Sequence, residues 1–394
     1  MPDFARILLI RPSALGDVCR TVPVLASLRA AFPEARIDWV VNDAYVPVIS
    51  AHPGLSNAVG FPRGRFGQFW RSPQVLADLW RWAAALRKSR YDLVLDCQGL
   101  GRSGLIAWST GAPRRVGFAD AREAGWLGYT VRHDVPPRLH TVDRMLALAA
   151  AEGATPIADM RLVAPPEARL WLERLRRHLR FEDKAYAVLA PTSRWFGKRW
   201  PAERWAALVG PLVDRGFRRI FFIGSPNERA QVAAALPRGP QAAHVVNLVG
   251  RTSVAHTLGL VSEAGLVIAN DSAPLHMAVG FGRPLIGLFG PTDPARVGPY
   301  GREESVVRPA LRDDEQGVSF KDDRAAGAIM ARIGVDEVLA RLDVALCGTS
   351  PADGTATVGR AGESREPSRA AGRGSRETSE VGGPEASALA RDSC

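Results

Sequence analysis

RILLIRPSALGDVCRTVPVLASLRAAFPEARIDWVV, residues 6–41, holds a strand, a turn, a helix and a second strand in succession. Ile7–Ile10 is a short, unbroken apolar run, the pattern of a strand buried on both faces. A loop, Arg11 to Gly16, leads to Asp17 and an amphipathic helix predicted from about Cys19 to Ala31. The next apolar run is Arg36–Val41. Strand, helix and strand at this spacing make a parallel βαβ unit, because parallel neighbours need a crossover of at least a dozen residues.

The alternation continues outward from that unit. A helix near Tyr45–Ala51, a strand at Ala58–Phe61, a helix near Pro73–Lys88 and a strand at Asp92–Asp96 extend the first sheet. A fresh series opens at Ala185–Ala190 and runs through a helix near Ala202–Arg215, a strand at Arg219–Ile223 and a helix near Asn227–Leu236. It ends with strands at Leu266–Ala269 and Pro284–Phe289 around a helix near Pro274–Gly280. Two α/β sheets are therefore expected. Between them Pro165-Pro166 and a charged helix at Glu167–Arg180 form the connection, which divides the chain into domains 1–170 and 171–348. Residues 349–394 are Gly, Ser, Ala, Arg, Glu, Thr and Pro with almost no large apolar side chain, so they are expected to be a disordered tail.

The chain has 394 residues, 46% of them hydrophobic, enough for two domain cores. Lys and Arg number 51 against 41 Asp and Glu, a net charge of +10. The tail is slightly acidic, so the basic excess belongs to the folded part and points to an anionic substrate or membrane face. No Lys/Arg block or zinc-finger spacing suggests nucleic acid. Cys19, Cys97, Cys347 and Cys394 are scattered without metal-ligand spacing, which fits a reducing cytoplasm and no metal site. Ile7–Ile10 is too short for a secretory core, and no run approaches the ~18 apolar residues of a membrane span. Any membrane contact is expected to be peripheral.

Three loops carry the candidate chemistry. Each follows a predicted parallel strand, where ligands bind in such sheets. The first is RPSALGD, Arg11–Asp17, whose carboxylate suits either a general base or an N-cap. The second is PTSRWFGK, Pro191–Lys198, in which Thr192, Ser193 and Lys198 are donors suited to phosphate oxygens, though a polar linker reads the same way. The third is NDSAPLH, Asn270–His276. Here Pro274 lies in the first turn, Asp271 or Ser272 caps the helix, and the free N–H groups form an anion site.

In order and content these segments resemble the ADP-heptose:lipopolysaccharide heptosyltransferases, glycosyltransferase family 9. The resemblance spans most of residues 5–310 and includes DLVLDCQGL at Asp92–Leu100, PTSRWFGKRWPAERW at Pro191–Trp205, NDSAPLHMA at Asn270–Ala278 and GPTDP at Gly290–Pro294. It implies a GT-B fold of two Rossmann-like α/β domains facing a cleft, acceptor on the first and nucleotide sugar on the second. The activity it implies is inverting, metal-independent transfer of a heptose or related sugar from ADP-heptose to an anionic lipopolysaccharide inner-core acceptor. It also implies a cytoplasmic enzyme, working as a monomer at the inner face of the inner membrane without cofactor.

By the same resemblance Asp17 is the base and Lys198 neutralises the leaving diphosphate. Thr192, Ser193, Glu228, Thr252, Asp271, Ser272, Ala273 and His276 contact the donor. Arg63, Arg65, Arg71, Arg122, His140 and Arg144 hold the acceptor's anionic groups. The chain departs from the family pattern at Ala273, where Gly is common, and in a longer loop bearing Trp195 and Phe196. Two alternatives stay open. Gly99–Gly104 is a formal G-x-G-x-x-G with Asp120 about 20 residues on, the mark of an NAD-dependent Rossmann oxidoreductase. The other is a non-catalytic GT-B protein that binds nucleotide sugar or glycolipid without turnover.

Overall fold

Alternate residues of β1 (Arg6–Ile10) enter different cores: Ile7 and Leu9 pack on one face of a sheet, Leu8 and Ile10 on the other. Burial on both faces explains the unbroken apolar run. A computed structural model describes residues 4–67, 69–182 and 184–347. The segment 349–394, expected to be a disordered tail, lies outside the described residues.

The first sheet combines β1 with β2 (Arg36–Asn42), β3 (Asn57–Phe61), β4 (Leu93–Asp96), β5 (Arg114–Phe118) and β6 (Val131–His133). Its helices are α1 (Leu15–Ala31), α2 (Val46–Ile49), α3 (Arg63–Phe66), α4 (Pro73–Lys88), α5 (Gly101–Ser109) and α6 (Thr141–Ala151). A long helix α7 (Pro166–Leu179) precedes the second sheet. That sheet contains β7 (Tyr186–Ala190), β8 (Arg219–Phe222), β9 (Val245–Asn247), β10 (Leu266–Asn270), β11 (Leu285–Leu288) and β12 (Val306–Val307). Its helices are α8 (Ala202–Asp214), α9 (Arg229–Val232), α10 (Val254–Ser262), α11 (Ala273–Gly280), α12 (Pro294–Val297), α13 (Asp323–Met330) and α14 (Val335–Cys347).

All strand pairs are parallel, in the orders β3-β2-β1-β4-β5-β6 and β12-β11-β10-β7-β8-β9. The direction in which successive strands are added reverses between β1 and β4 in the first sheet and between β10 and β7 in the second. Such switch points open a crevice beyond the carboxyl ends of the strands. The loops after β1, β4, β7 and β10, which include all three candidate loops, therefore flank the two crevices. Helix α6 packs on α1, α7 packs on α10, and α1 meets α11 across the two lobes. One apolar cluster containing Val18, Val22, Leu275 and Met277 runs through that last contact.

Helix boundaries differ from expectation at three places. α1 starts at Leu15, so Asp17 lies inside its first turn; Ala14 is the N-cap residue, and its N–H donates to the Asp17 carboxylate at 3.0 Å. The expected helix at Tyr45–Ala51 is a 3-10 turn at Asp43–Tyr45 followed by α2, and that near Asn227–Leu236 shortens to the 3-10 turn Pro226–Glu228 and α9.

The glycines of the G-x-G-x-x-G stretch have a packing role. A Cβ on Gly101 would lie 2.5 Å from the Glu123 carbonyl oxygen, and one on Gly104 2.1 Å from that of Gly125. Reciprocally, a Cβ on Gly128 would lie 2.0 Å from the Gly104 carbonyl oxygen. Helix α5 and the 3-10 turn Gly125–Gly128 thus press backbone to backbone, and the space a dinucleotide phosphate needs beside such glycines is filled by protein. Asp120, the would-be ribose ligand, is paired with Arg144 at 2.9 Å.

Candidate active site

At the first switch point Asp17 is held from two sides. Arg11, from the end of β1, reaches its carboxylate at 3.0 Å, and Arg20, one turn further along α1, forms a short charge-assisted bond to the other oxygen. Both arginines are buried. Burial by itself raises the Asp17 carboxyl, but Arg11, Arg20 and the Ala14 N–H outweigh it and hold the group well below the usual carboxylate range. Arg20 also donates to the Val297 carbonyl at 2.9 Å, so the same guanidinium ties the carboxylate to the second lobe.

The adjoining loop after β4 is ordered by Asp96, which is fully buried. Its carboxylate accepts from Tyr129 Oη at 2.6 Å and from the N–H groups of Gln98 and Gly99 at 2.8 and 3.2 Å. Gln98 in turn accepts from the Ser13 N–H at 3.2 Å, joining the two loops of the crevice. Between them and α6 opens a cavity of about 400 Å³. Arg11, Arg122, Arg144 and Arg296 line it, with Asp120 as the only acid among the described residues of its wall. A cavity with four guanidiniums and one carboxylate selects for anions.

At the second switch point Lys198 Nζ lies 2.6 Å from the Asp271 carboxylate and 4.5 Å from the centre of the Phe320 ring. Asn270, fully buried, donates to the Pro191 carbonyl at 2.8 Å and accepts from the Trp200 N–H at 3.2 Å, so the two loops share one side chain. Thr192 donates to Glu228 at 2.9 Å, and Glu228 also accepts the Ser225 N–H at 2.7 Å. The additional aromatic residues fasten the loop to its neighbours: Trp195 meets Phe320 edge-on at 5.5 Å, and Gly197 and Phe196 press against α13. Thr192 and Ser193 are buried, whereas Thr252 lies just before α10 with its hydroxyl 3.4 Å from that of Thr257.

Helix α11 begins at Ala273, with Ser272 as its N-cap residue. Ser272 Oγ makes no capping bond; it is buried without a protein partner, as are His276 Nδ1 and Thr292 Oγ1. Buried polar atoms are normally paired, so Ser272 and His276, at the start of α11, mark a place where a polar ligand is expected beside the N–H groups of that helix start. Burial holds His276 well below its ordinary value, with Arg20 adding to the effect, so the ring is neutral. This helix start touches the first lobe directly: Gly16 packs on His276 and Ala273.

The structure thus brings Asp17, Ser272, Ala273 and His276 to one interlobe contact, with Lys198, Asp271, Thr192 and Ser193 around the second crevice. Arg122 and Arg144 line the cavity of the first. His140 has a structural place: it is buried, its Nδ1 accepts the Val142 N–H at 3.1 Å, and its Nε2 lies 3.2 Å from the Gly298 carbonyl. Beside it Thr141 donates to the Arg296 carbonyl at 3.0 Å, and Tyr300 to Asp143 at 2.6 Å. Arg63, Arg65 and Arg71 lie on α3 and the following 3-10 turn, are exposed, and do not line the cavity; Arg65 pairs with Asp78. Arg11, Arg20 and Arg296 did not stand out in the sequence. Only Arg20 had a local signal, its i,i+3 spacing from Asp17. Among the described residues no three His, Cys, Asp or Glu side chains form a metal-binding group.

Residues 79–321 match the profile of glycosyltransferase family 9 (heptosyltransferase). The chain is 28% identical over 315 residues to lipopolysaccharide heptosyltransferase 1 of Escherichia coli strain K12, covering 77% of this chain and 93% of that protein. It superposes on a glycosyl transferase family 9 structure from Veillonella parvula with a TM-score of 0.73 at 21% identity, covering 89% of this chain and 99% of that one. With E. coli heptosyltransferase WaaC bound to ADP-2-deoxy-2-fluoro heptose the TM-score is 0.68 at 25% identity, over 86% and 99% of the two chains. The two facing α/β lobes are those of the GT-B fold.

Proposed function

The chain belongs to glycosyltransferase family 9, and on that premise we propose that it transfers a heptose, or a closely related sugar, from ADP-heptose to an anionic lipopolysaccharide inner-core acceptor. In this reading residues 1–170 hold the acceptor and 171–348 the donor, and transfer takes place in the cytoplasm at the inner membrane face. The observation that carries it is the meeting of Asp17 with the start of α11. Gly16, next to the fixed Asp17 carboxylate, packs on His276 and Ala273 of the other lobe, on the helix start where Ser272 Oγ and His276 Nδ1 are buried without a partner.

The acceptor hydroxyl gives its proton to Asp17 as its oxygen bonds to the anomeric carbon. The bond from that carbon to the diphosphate oxygen breaks on the opposite face, so configuration inverts and ADP leaves with the electron pair. Lys198 has three donors, enough to keep Asp271 and still meet a phosphate oxygen. The N–H groups at Ser272 and Ala273 add stabilisation where charge develops. These fixed charges supply what the reaction needs without a metal.

A carboxylate held this low is a weak base, and the cavity supplies the remedy. Arg11 pairs with Asp17 and also lines the cavity. An anionic acceptor entering there competes for Arg11, loosens the pair and raises the proton affinity of Asp17 at the moment a base is required.

ADP release from ADP-heptose on addition of a Kdo-bearing lipid A acceptor, with EDTA present, tests the reading. Acceptor-dependent release that survives EDTA and falls about a hundredfold in Asp17→Ala is the expected result. Donor binding without release would send the search to other acceptors, and absence of both would end the heptosyltransferase reading.

A further inference from the structure

Leu8, Ile10, Val40 and Val94 on one face of the first sheet are covered by Phe66 of α3, Val75, Leu79 and Leu86 of α4, and Ile106 and Ala107 of α5. Tyr129, just after the 3-10 turn Gly125–Gly128, completes the cover. These elements therefore turn their outer sides to the same side of the lobe, and α5 packs against both α4 and the 3-10 turn.

Their outer sides are rich in large apolar residues. Trp80 is 68% exposed, Leu105 62%, Trp108 58% and Leu127 64%, with Leu76 and Trp126 partly exposed beside them. Leu76 and Trp80 are one turn apart on α4, and Arg102, Leu105 and Trp108 form a single outward stripe on α5. Scattered apolar residues on a surface need no explanation, but several aromatics gathered on one side do.

The charge around α3, α4 and α5 is predominantly basic. From residue 62 to 90 there are seven basic residues, Arg63, Arg65, Arg71, Arg81, Arg87, Lys88 and Arg90, against one acid, Asp78. α5 contributes Arg102 and no acid. Tryptophan and leucine among arginines on short helices is the composition that settles at the headgroup level of an anionic bilayer. A face made for a second copy of the chain would set these like charges against each other. Among the described residues no helix is long and apolar enough to cross a membrane.

The face borders the cavity. α5 starts two residues after Gly99 of the cavity wall, and Arg122 of the wall lies four residues before Trp126. We infer that the outer face of α4, α5 and the Gly125–Gly128 turn is a docking surface for an anionic lipid bilayer, setting the mouth of the acceptor cavity at the headgroup plane. The exposed Arg63 and Arg65, on α3 over the same sheet face, and Arg71, in the 3-10 turn packed on α4, then serve lipid phosphates. This inference rests on the proposed glycolipid acceptor for its purpose, but its test does not require turnover.

The full chain is floated with vesicles of phosphatidylethanolamine and phosphatidylglycerol, and separately with phosphatidylcholine alone, without acceptor. The wild type is expected to bind the anionic vesicles at low salt and to bind phosphatidylcholine several-fold less. The combined variant Trp80→Ser, Leu105→Ser, Trp108→Ser is expected to lose binding on the order of tenfold or more. Arg87→Gln, Lys88→Gln and Arg102→Gln should each cost about fivefold. Unchanged melting temperature and unchanged turnover of a water-soluble, deacylated acceptor show that the triple variant is folded and its site intact. Wild-type protein that ignores anionic vesicles, or a triple variant that binds as well as wild type, overturns the inference. So does a wild-type dimer in solution that the triple variant dissolves into monomers. Vesicle binding lost in the variant, with no transfer by either protein, would sink the transferase reading and leave the docking surface standing.

Discussion

Gly16 touches the opposite lobe, and its replacement by alanine tests whether the contact between α1 and α11 sets the reaction geometry. A Cβ at Gly16 would lie 2.7 Å from His276 Cδ2 and 3.5 Å from Ala273 Cα. Carbon atoms pack at about 3.5–4.0 Å, so the shortfall against the imidazole is about 1 Å. The ring is buried and has Ala273 and Gly16 on its near side, so the strain is relieved mainly by retreat of α1 from α11. Such overpacking costs about 1–3 kcal/mol. A displacement near 1 Å between Asp17 and the donor loop lowers kcat by about a hundredfold. Steady-state ADP release and thermal melting of Gly16→Ala measure both effects. The double variant Gly16→Ala, His276→Ala removes the clash, so it should melt higher than the sum of the two single changes predicts. Unchanged kcat and melting temperature in Gly16→Ala, or strictly additive melting shifts, would refute the argument.

Lys198→Ala should lower kcat by about 10²–10³ through loss of diphosphate stabilisation. It should also lower the melting temperature, because the buried Asp271 carboxylate loses its partner. Adding Asp271→Asn should recover the melting temperature without the rate, which single-turnover kinetics and calorimetry separate. Gly104→Ala should destabilise by about 3 kcal/mol, since its Cβ falls 2.1 Å from a backbone oxygen, and unfolding in urea would show it. His276 and His140 are both shifted below their ordinary value by burial. Below about pH 6.5 the unfolded chain therefore binds protons that the folded chain refuses, and stability falls as pH falls. Replacing both with asparagine should flatten the slope of stability between about pH 6.5 and 5. Asp17 has the same sign in a lower window: its stabilising pairs are fully present above the ordinary carboxylate range and are lost as pH falls below about 4, toward the depressed folded value. The free enzyme's kcat/KM should accordingly show no ionisation near pH 4, and a carboxylate-like limb there would contradict the Arg11 and Arg20 pairing.

Much of this molecule was legible in local pattern. The runs Ile7–Ile10, Tyr186–Ala190 and Leu266–Ala269 are buried on both faces, so they appear as unbroken apolar segments, and the helices between them show their own period. Three candidate loops could be placed at carboxyl strand ends because that position follows from the order of elements alone. The strands β5, β6, β9 and β12 escaped notice: β6, β9 and β12 are edge strands of two or three residues, too short for any periodicity, and β5 opens on Arg114-Arg115, which breaks its apolar run. The start of α1 was misplaced because the bond from the Ala14 N–H to Asp17 lets a loop-like stretch begin a helix.

What the sequence by itself determined is the class of fold and the chemical kinds gathered in each loop, since both depend on neighbours along the chain. Only the tertiary structure decided which arginines hold Asp17, that His140 is an interlobe strut, and that the Gly99–Gly104 glycines make room for another backbone. It also decided that tryptophans on separate helices share one face. The physical reason is the same in each case. Hydrogen bonds, steric exclusion and shared exposure act between residues close in space, and apart from the arginines beside Asp17 they join positions tens to hundreds of residues apart here, a separation that carries no periodic signal.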